Sequence, residues 1–161
     1  MNAFRIALIG NPNCGKTTLF NALTGSHQKV GNWPGVTVEK KIGTFTDKNR
    51  DCVIVDLPGI YSLEQDYLGL DEQIARDYLA AGDFDVILNI IDAGNLQRNL
   101  ILTQQLLELG LPVVVAVNML DVAEREGITI DSESLADHLG VPVAPIVASK
   151  QQGLDGLVAQ L

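Results

Sequence analysis

Gly10-Asn11-Pro12-Asn13-Cys14-Gly15-Lys16-Thr17 is the stretch on which the fold turns. It runs glycine, four residues, then Gly-Lys-Thr, the pattern of a loop that wraps a phosphate. Glycines at 10 and 15 let the backbone curl until successive N–H groups face one anion, and the start of the following helix adds its dipole. Lys16 is spaced to reach β- and γ-phosphates, Thr17 to give its hydroxyl to Mg²⁺, and Thr18 to touch a further phosphate. Such a loop needs a strand before it and a helix after it. Phe4 to Ile9 is apolar on nearly every residue, as a buried strand must be, and Lys16 to Leu23 carries apolar residues three to four apart.

The same alternation continues outward. Cys52 to Val55, Val86 to Ile91, Val113 to Val117 and Val143 to Val147 read as further buried strands. Between them, Leu70 to Ala81, Leu96 to Leu109, Ser132 to Leu139 and a last segment from Leu154 read as helices, with Gly25, Gly82, Gly110 and Gly140 where helix ends need them. The pattern predicts an α/β fold with a mainly parallel sheet of six or seven strands and helices on both faces. Thr37 to Phe45 alternates apolar and polar residues and predicts one exposed, antiparallel edge strand. Residues 24 to 36 hold four Gly/Pro and one Trp, and they read as a loop too long to be a plain connector.

Composition sets the outer bounds. A chain of 161 residues with 47% hydrophobic and 19% charged residues is one globular domain, not a disordered or repetitive one. Two cysteines, Cys14 and Cys52, cannot build a disulfide framework and lack metal-ligand spacing, so a reducing compartment is expected. No apolar run approaches the roughly 20 residues of a membrane span, which predicts a soluble chain. The net charge of −9 argues against nucleic acid as a partner. Residues 1 to 50 hold seven Lys/Arg against two Asp/Glu, or +5, and residues 51 to 161 hold four against eighteen, or −14. An anionic ligand is drawn to the first third. The chain ends at Leu161 inside a helical pattern without a capping signal, which suggests a piece of something larger.

Two more motifs lie at strand ends. Asp56-Leu57-Pro58-Gly59 follows the second apolar strand, where a carboxylate can hold Mg²⁺ and Gly59 can offer its N–H to a γ-phosphate. Asn118-Met119-Leu120-Asp121 closes another strand. The Asp121 carboxylate can accept from N1–H and the 2-amino group of guanine, a pairing adenine cannot offer, while Asn118 braces the loop and touches the base. After the last strand, Val147, Ala148 and Ser149 can give backbone N–H groups to the guanine O6.

In this order the motifs resemble those of the Ras-like GTPases. Gly10 to Phe20, Val30 to Glu39, Asp56 to Leu63 and Asn118 to Asp121 are similar to the N-terminal G domain of the bacterial ferrous iron transport protein B family, over essentially the whole chain. The resemblance implies a single G domain over 1–161, its last helix cut short, followed in the family by a helical spacer and a polytopic membrane region. It implies GTP and GDP as ligands, Mg²⁺ held by Thr17, Thr37 and Asp56, and control of Fe²⁺ uptake from the cytoplasmic face of the inner membrane, with a homo-oligomer in the intact transporter. Thr37 becomes the switch I threonine (switch I about 28 to 39, switch II 56 to 70), Gly35 and Val36 its nucleotide-facing neighbours, and Asn13 the ligand of a catalytic K⁺. Lys16, Thr37, Gly59, Asn13 and Gly35 are then the catalytic set, and Met119 stands where most GTPases carry Lys. Ile60 replaces the glutamine that orients water in Ras-type enzymes, so hydrolysis is expected to be slow and the water to be held by backbone near Gly35 and Thr37.

Other residues carry less. Trp33 reads as a loop aromatic packed on its own domain, His27 and His138 as surface residues, and Asp71-Glu72 as helix N-terminal dipole chemistry.

Overall fold

In the computed structural model, which describes residues 3–64 and 69–161, seven strands alternate with six helices among the described residues. The strands are β1 (Phe4–Gly10), β2 (Gln28–Asn32), β3 (Glu39–Asp47), β4 (Arg50–Asp56), β5 (Val86–Asp92), β6 (Val113–Asn118) and β7 (Val143–Pro145). The helices are α1 (Lys16–Thr24), α2 (Leu70–Ala81), α3 (Leu96–Glu108), α4 (Leu120–Arg125), α5 (Ser132–Leu139) and α6 (Leu154–Gln160). One sheet holds all the strands in the order β2-β3-β4-β1-β5-β6-β7. β4, β1, β5, β6 and β7 pair in parallel, whereas β3 runs against both β2 and β4. The fold is the expected Ras-like α/β architecture with an antiparallel edge.

The central strands are apolar at most positions because both their faces are covered. Along β1, Ala7 and Ile9 enter one core with Ala75 and Leu79 of α2, Leu102 and Leu106 of α3 and Leu139 of α5. Ile6 and Leu8 enter the other, with Leu19 and Phe20 of α1 and Leu157 of α6. This is the two-residue period of a strand feeding two cores. Each fully buried Leu or Phe contributes about 1.5–3 kcal/mol.

The edge differs from expectation in detail. β3 starts at Glu39 and extends to Asp47, and β2 covers it, so the antiparallel strand lies one place in from the rim and the segment 24 to 36 is not wholly loop. β3 and β4 join through Lys48 and Asn49, both at positive φ (46° and 69°), the two-residue turn that matches the natural twist of a hairpin. The last strand stops at Pro145, and Val147 instead bridges Gln152. α4 is an element that apolar spacing does not predict. Of the expected switch II, residues 65 to 68 lie outside the described residues.

Candidate nucleotide site

The carboxyl ends of β1, β4, β6 and β7 point to one rim of the sheet, beside β1, where the strand order reverses. Open α/β sheets bind ligands at that place. Gly10 ends β1, Asp56 ends β4 and Asn118 ends β6, so three of the predicted motifs are brought together by strand register alone. β1 and β4 are paired with Leu8 opposite Asp56, which puts the carboxylate next to the loop that begins two residues later.

The loop after β1 is tightly fitted. Gly15 sits at φ +91°, a conformation costly for a side chain, and an added Cβ would lie 2.2 Å from Asn118 Nδ2. At Gly59 a Cβ would come within 3.2 Å of the N and Cα of Pro12, so the start of switch II lies directly on the loop. Ile60 N–H donates to Gly10 O at 3.0 Å. Asn11, Pro12, Asn13, Gly15, Lys16, Thr17, Thr18, Gly59 and Asp71 line one cavity of about 460 Å³. Lys16 Nζ forms an ion pair with Asp56 Oδ1, and both side chains are nearly buried. An ammonium and a carboxylate placed together with a threonine hydroxyl suit a phosphate and a hard divalent cation that keeps part of its water. No group of three or more His, Cys, Asp or Glu that could cage a metal exists among the described residues. Thr17 and Asp56, together with phosphate oxygens, are the groups at this place that suit Mg²⁺.

Cys14 is 1% exposed. Burial pushes its thiol up to about 11, although Lys16 works in the opposite sense, so it is a neutral filler of the loop. Asn11 is 3% exposed, and neither its Nδ2 nor its Oδ1 has a hydrogen-bond partner among the described residues. Leaving such a group unpaired costs about 1–3 kcal/mol.

The second half of the site is tied to the first by one side chain. Asn118 Nδ2 donates to Cys14 O at 3.0 Å, and its Oδ1 accepts from Ala148 N–H at 2.9 Å. Met119, at φ 64°, turns the chain into α4 and presents Asp121 in its first turn. Lys150 Nζ lies 3.3 Å from Asp121 Oδ2. Burial works to raise the Asp121 carboxyl, but the Val122 N–H and the Lys150 ammonium outweigh it and hold the group below its ordinary range. Two of the expected O6 donors are engaged within the protein: Val147 N–H bonds to Gln152 O at 3.0 Å, and Ala148 N–H to Asn118. Ser149 is exposed.

Switch I is not at the cavity. β2 and β3 are paired as far as Asn32 and Glu39, and Trp33 N–H closes the hairpin on Val38 O at 2.9 Å. Val36 N–H donates to Trp33 O, and Gly35 and Thr37 are exposed at the tip. None of the three lines the phosphate cavity. Trp33, 6% exposed, is packed edge-on against Tyr78 of α2 at 5.8 Å, with Lys40 Nζ 4.6 Å from its ring centre, which matches its expected role as a loop aromatic.

Switch II is strapped to the helices by residues that motif reading missed. Gln105 Oε1 accepts from Leu63 N–H at 2.6 Å, and Gln105 Nε2 donates to Ser62 Oγ at 2.8 Å. Arg76 Nη1 donates to Leu63 O at 2.6 Å, and the Arg98 guanidinium lies 4.1 Å over the Tyr61 ring. Ile60 is 1% exposed in the core and presents no polar group to the cavity. No local pattern marks Gln105 or Arg76, because each acts across many residues of sequence.

The family model for ferrous iron transport protein B matches residues 4–161. The chain belongs to the ferrous iron transport protein B family. It is 54% identical over 159 residues to the Fe(2+) transporter FeoB of Escherichia coli K12 and to that of Salmonella typhimurium, covering 98% of this chain and 21% of each relative. The chain thus spans about one fifth of the length of these relatives. Among solved structures, the cytosolic domain of L. pneumophila FeoB superposes with a TM-score of 0.93 at 54% identity, covering 97% of this chain and 68% of that one. The G domain of T. maritima FeoB gives 0.92 at 45% identity, covering 99% and 96%. A mutant of S. thermophilus NFeoB bound to GDP gives 0.91 at 54% identity, covering 98% and 60%. The chain is a GTPase-type G domain of the FeoB family. No helix among the described residues is long and apolar enough to cross a membrane.

Proposed function

We propose that this G domain binds GTP with Mg²⁺, hydrolyses it slowly, and through its nucleotide state regulates Fe²⁺ uptake by a membrane transporter of which it forms the cytoplasmic part. The observation that carries this reading is the bridge made by Asn118. It joins a phosphate-wrapping loop to a loop carrying a guanine-selective carboxylate, Asp121. A helical spacer and a membrane region of the same polypeptide are the partners, and assembly into a homo-oligomer belongs to the intact transporter.

Asn13 to Thr18 bind the phosphates through backbone N–H groups, with Lys16 leaving Asp56 to reach the β- and γ-phosphates. Thr17, Thr37 and Asp56 would hold Mg²⁺, which would supply charge stabilisation of the phosphoryl oxygens. Asn13 would hold K⁺, which would supply the charge that an arginine finger supplies elsewhere. Asn118, Met119, Asp121 and the 147–149 turn hold the base, with Ala148 exchanging Asn118 for the guanine O6. Gly35, Val36 and Thr37 close over the γ-phosphate, and backbone near Gly35 and Thr37 orients the attacking water, since Ile60 can neither donate nor accept. Unassisted turnover is then on the order of 10⁻⁴ to 10⁻² s⁻¹.

Single-turnover hydrolysis of GTP in K⁺ and in Na⁺ tests the reading. A rate gain of about tenfold or more in K⁺, lost in Asn13→Ala, is expected. Equal rates in both salts, with turnover untouched by Asn13→Ala, would leave a nucleotide-sensing module whose hydrolysis is incidental.

A further inference from the structure

Asn11 is the one buried side chain lining the phosphate cavity whose polar atoms all lack partners among the described residues. An amide offers two donors and two lone pairs, and buried polar groups in native proteins are paired, so another arrangement of the molecule that uses them is the state to look for. Its surroundings say which. The residue before it, Gly10, accepts the Ile60 N–H at 3.0 Å, and the residue after it, Pro12, lies 3.2 Å from the position of a Gly59 Cβ. Asn11 is therefore flanked on both sides by the first residues of switch II, and it shares its cavity with Gly59.

We propose that Asn11 is a positioning residue: its side-chain amide takes hold of the switch II backbone at Pro58–Ile60 when the γ-phosphate draws the Gly59 N–H toward the phosphate loop. The hydrogen-bond count requires such a group. Turning Gly59 N–H to the phosphate turns the Pro58 carbonyl of the same peptide unit away, and the rotation pulls Ile60 N–H from Gly10 O. Backbone groups buried without partners are rare in native structures. Asn11 Nδ2 can donate to the Pro58 carbonyl and Oδ1 can accept from Ile60 N–H, from a side chain that the resting state leaves unused. The proposal rests on the GTPase reading, and it adds that the unpaired amide of the resting state is the means by which the triphosphate state is held.

The test compares Asn11→Ala and Asn11→Ser with the wild-type chain. Expected for Asn11→Ala are a mant-GDP affinity within about twofold of wild type, a melting temperature of the GDP complex that does not fall, and single-turnover GTP hydrolysis at least about tenfold slower. Amide hydrogen exchange of residues 57–64 should slow on adding a non-hydrolysable GTP analogue with Mg²⁺ in the wild type and stay unchanged in Asn11→Ala. Asn11→Ser, with one short donor and acceptor, should recover part of the rate. A melting temperature more than about 4 °C lower in both variants would show that the amide already serves the resting fold and would overturn the proposal. Wild-type turnover and exchange in Asn11→Ala would overturn it equally. No turnover in the wild type would sink the GTPase reading and the proposal with it, a result distinct from a variant-specific null.

Discussion

Asp121 and Cys14 show how far single residues carry the chemistry. A carboxylate that accepts from both N1–H and the 2-amino group of guanine cannot be replaced by an amide, which presents one acceptor beside one donor. Asp121→Asn should weaken GDP binding by about 100-fold or more, about 2.7 kcal/mol, and strengthen binding of xanthosine diphosphate, read by calorimetry. Unchanged GDP affinity would move the base site elsewhere. Because the carboxyl is held below its ordinary range, it is already ionised at pH 5, and GDP affinity should not fall through loss of this charge between pH 8 and pH 5. Cys14 works in the opposite sense. Its folded thiol titrates at about 11 against 9.0 for the free group, so above pH 9 the unfolded chain loses a proton that the folded chain keeps. Stability then falls with rising pH, by about 1 kcal/mol between pH 8 and pH 10. Urea denaturation at the two pH values checks this, and the loss should shrink in Cys14→Ala.

Elements divide into those the sequence announces and those only tertiary contacts create. α2 and α5 follow from apolar spacing with a glycine immediately beyond, and β1, β5 and β6 from runs that are apolar on nearly every residue and buried on both faces. β2 leaves no such trace: Gln28–Asn32 is mostly polar, its Val30 is 60% exposed, and its pairing with β3 supplies the order. α4 is six residues long, too short for a period to show. In the site, the phosphate loop, Asp56 and Asn118 are legible because each motif sits within a few residues of its own strand. The straps Gln105 and Arg76 and the position of Thr37 are not, since long-range packing sets them. Trp33 seats the hairpin tip on Tyr78, and Thr37 lies outside the cavity. Closing switch I over the γ-phosphate must break the Trp33–Val38 bond or move the hairpin as a unit. Trp33 is the single tryptophan, so its emission reports the event. A GTP analogue with Mg²⁺ should shift that emission to longer wavelength as the ring leaves Tyr78, GDP should not, and Thr37→Ala should abolish the shift. A shift of equal size with GDP would mean that the hairpin does not respond to the γ-phosphate.

At the scale of the whole molecule, the candidate nucleotide site is a rim at which three of the five parallel strands end in residues of the predicted motifs and a fourth, β7, runs toward the 147–149 turn, so a nucleotide bound there would tie elements from both halves of the chain. On the proposed reading the phosphates engage residues 13 to 18 and 56 to 59, and the base engages 118 to 121 and 147 to 149; in the structure Asn118 crosses between the two loops. Both layers of the core meet at this sheet: one packs α1 and α6, the other α2, α3 and α5. Global unfolding destroys both halves of the rim together, so a ligand that binds only the folded chain adds its binding free energy to global stability rather than to one loop. GDP at about 100 times its dissociation constant should contribute about 2.7 kcal/mol. For a domain of this size that raises the melting temperature by about 5–11 °C. ATP at the same concentration should raise it by less than about 1 °C, because adenine leaves the Asp121 carboxylate unpaired. Differential scanning fluorimetry with the two nucleotides reads both values, and equal shifts would mean that the phosphate loop alone holds the ligand and that the 118–121 loop does not select the base.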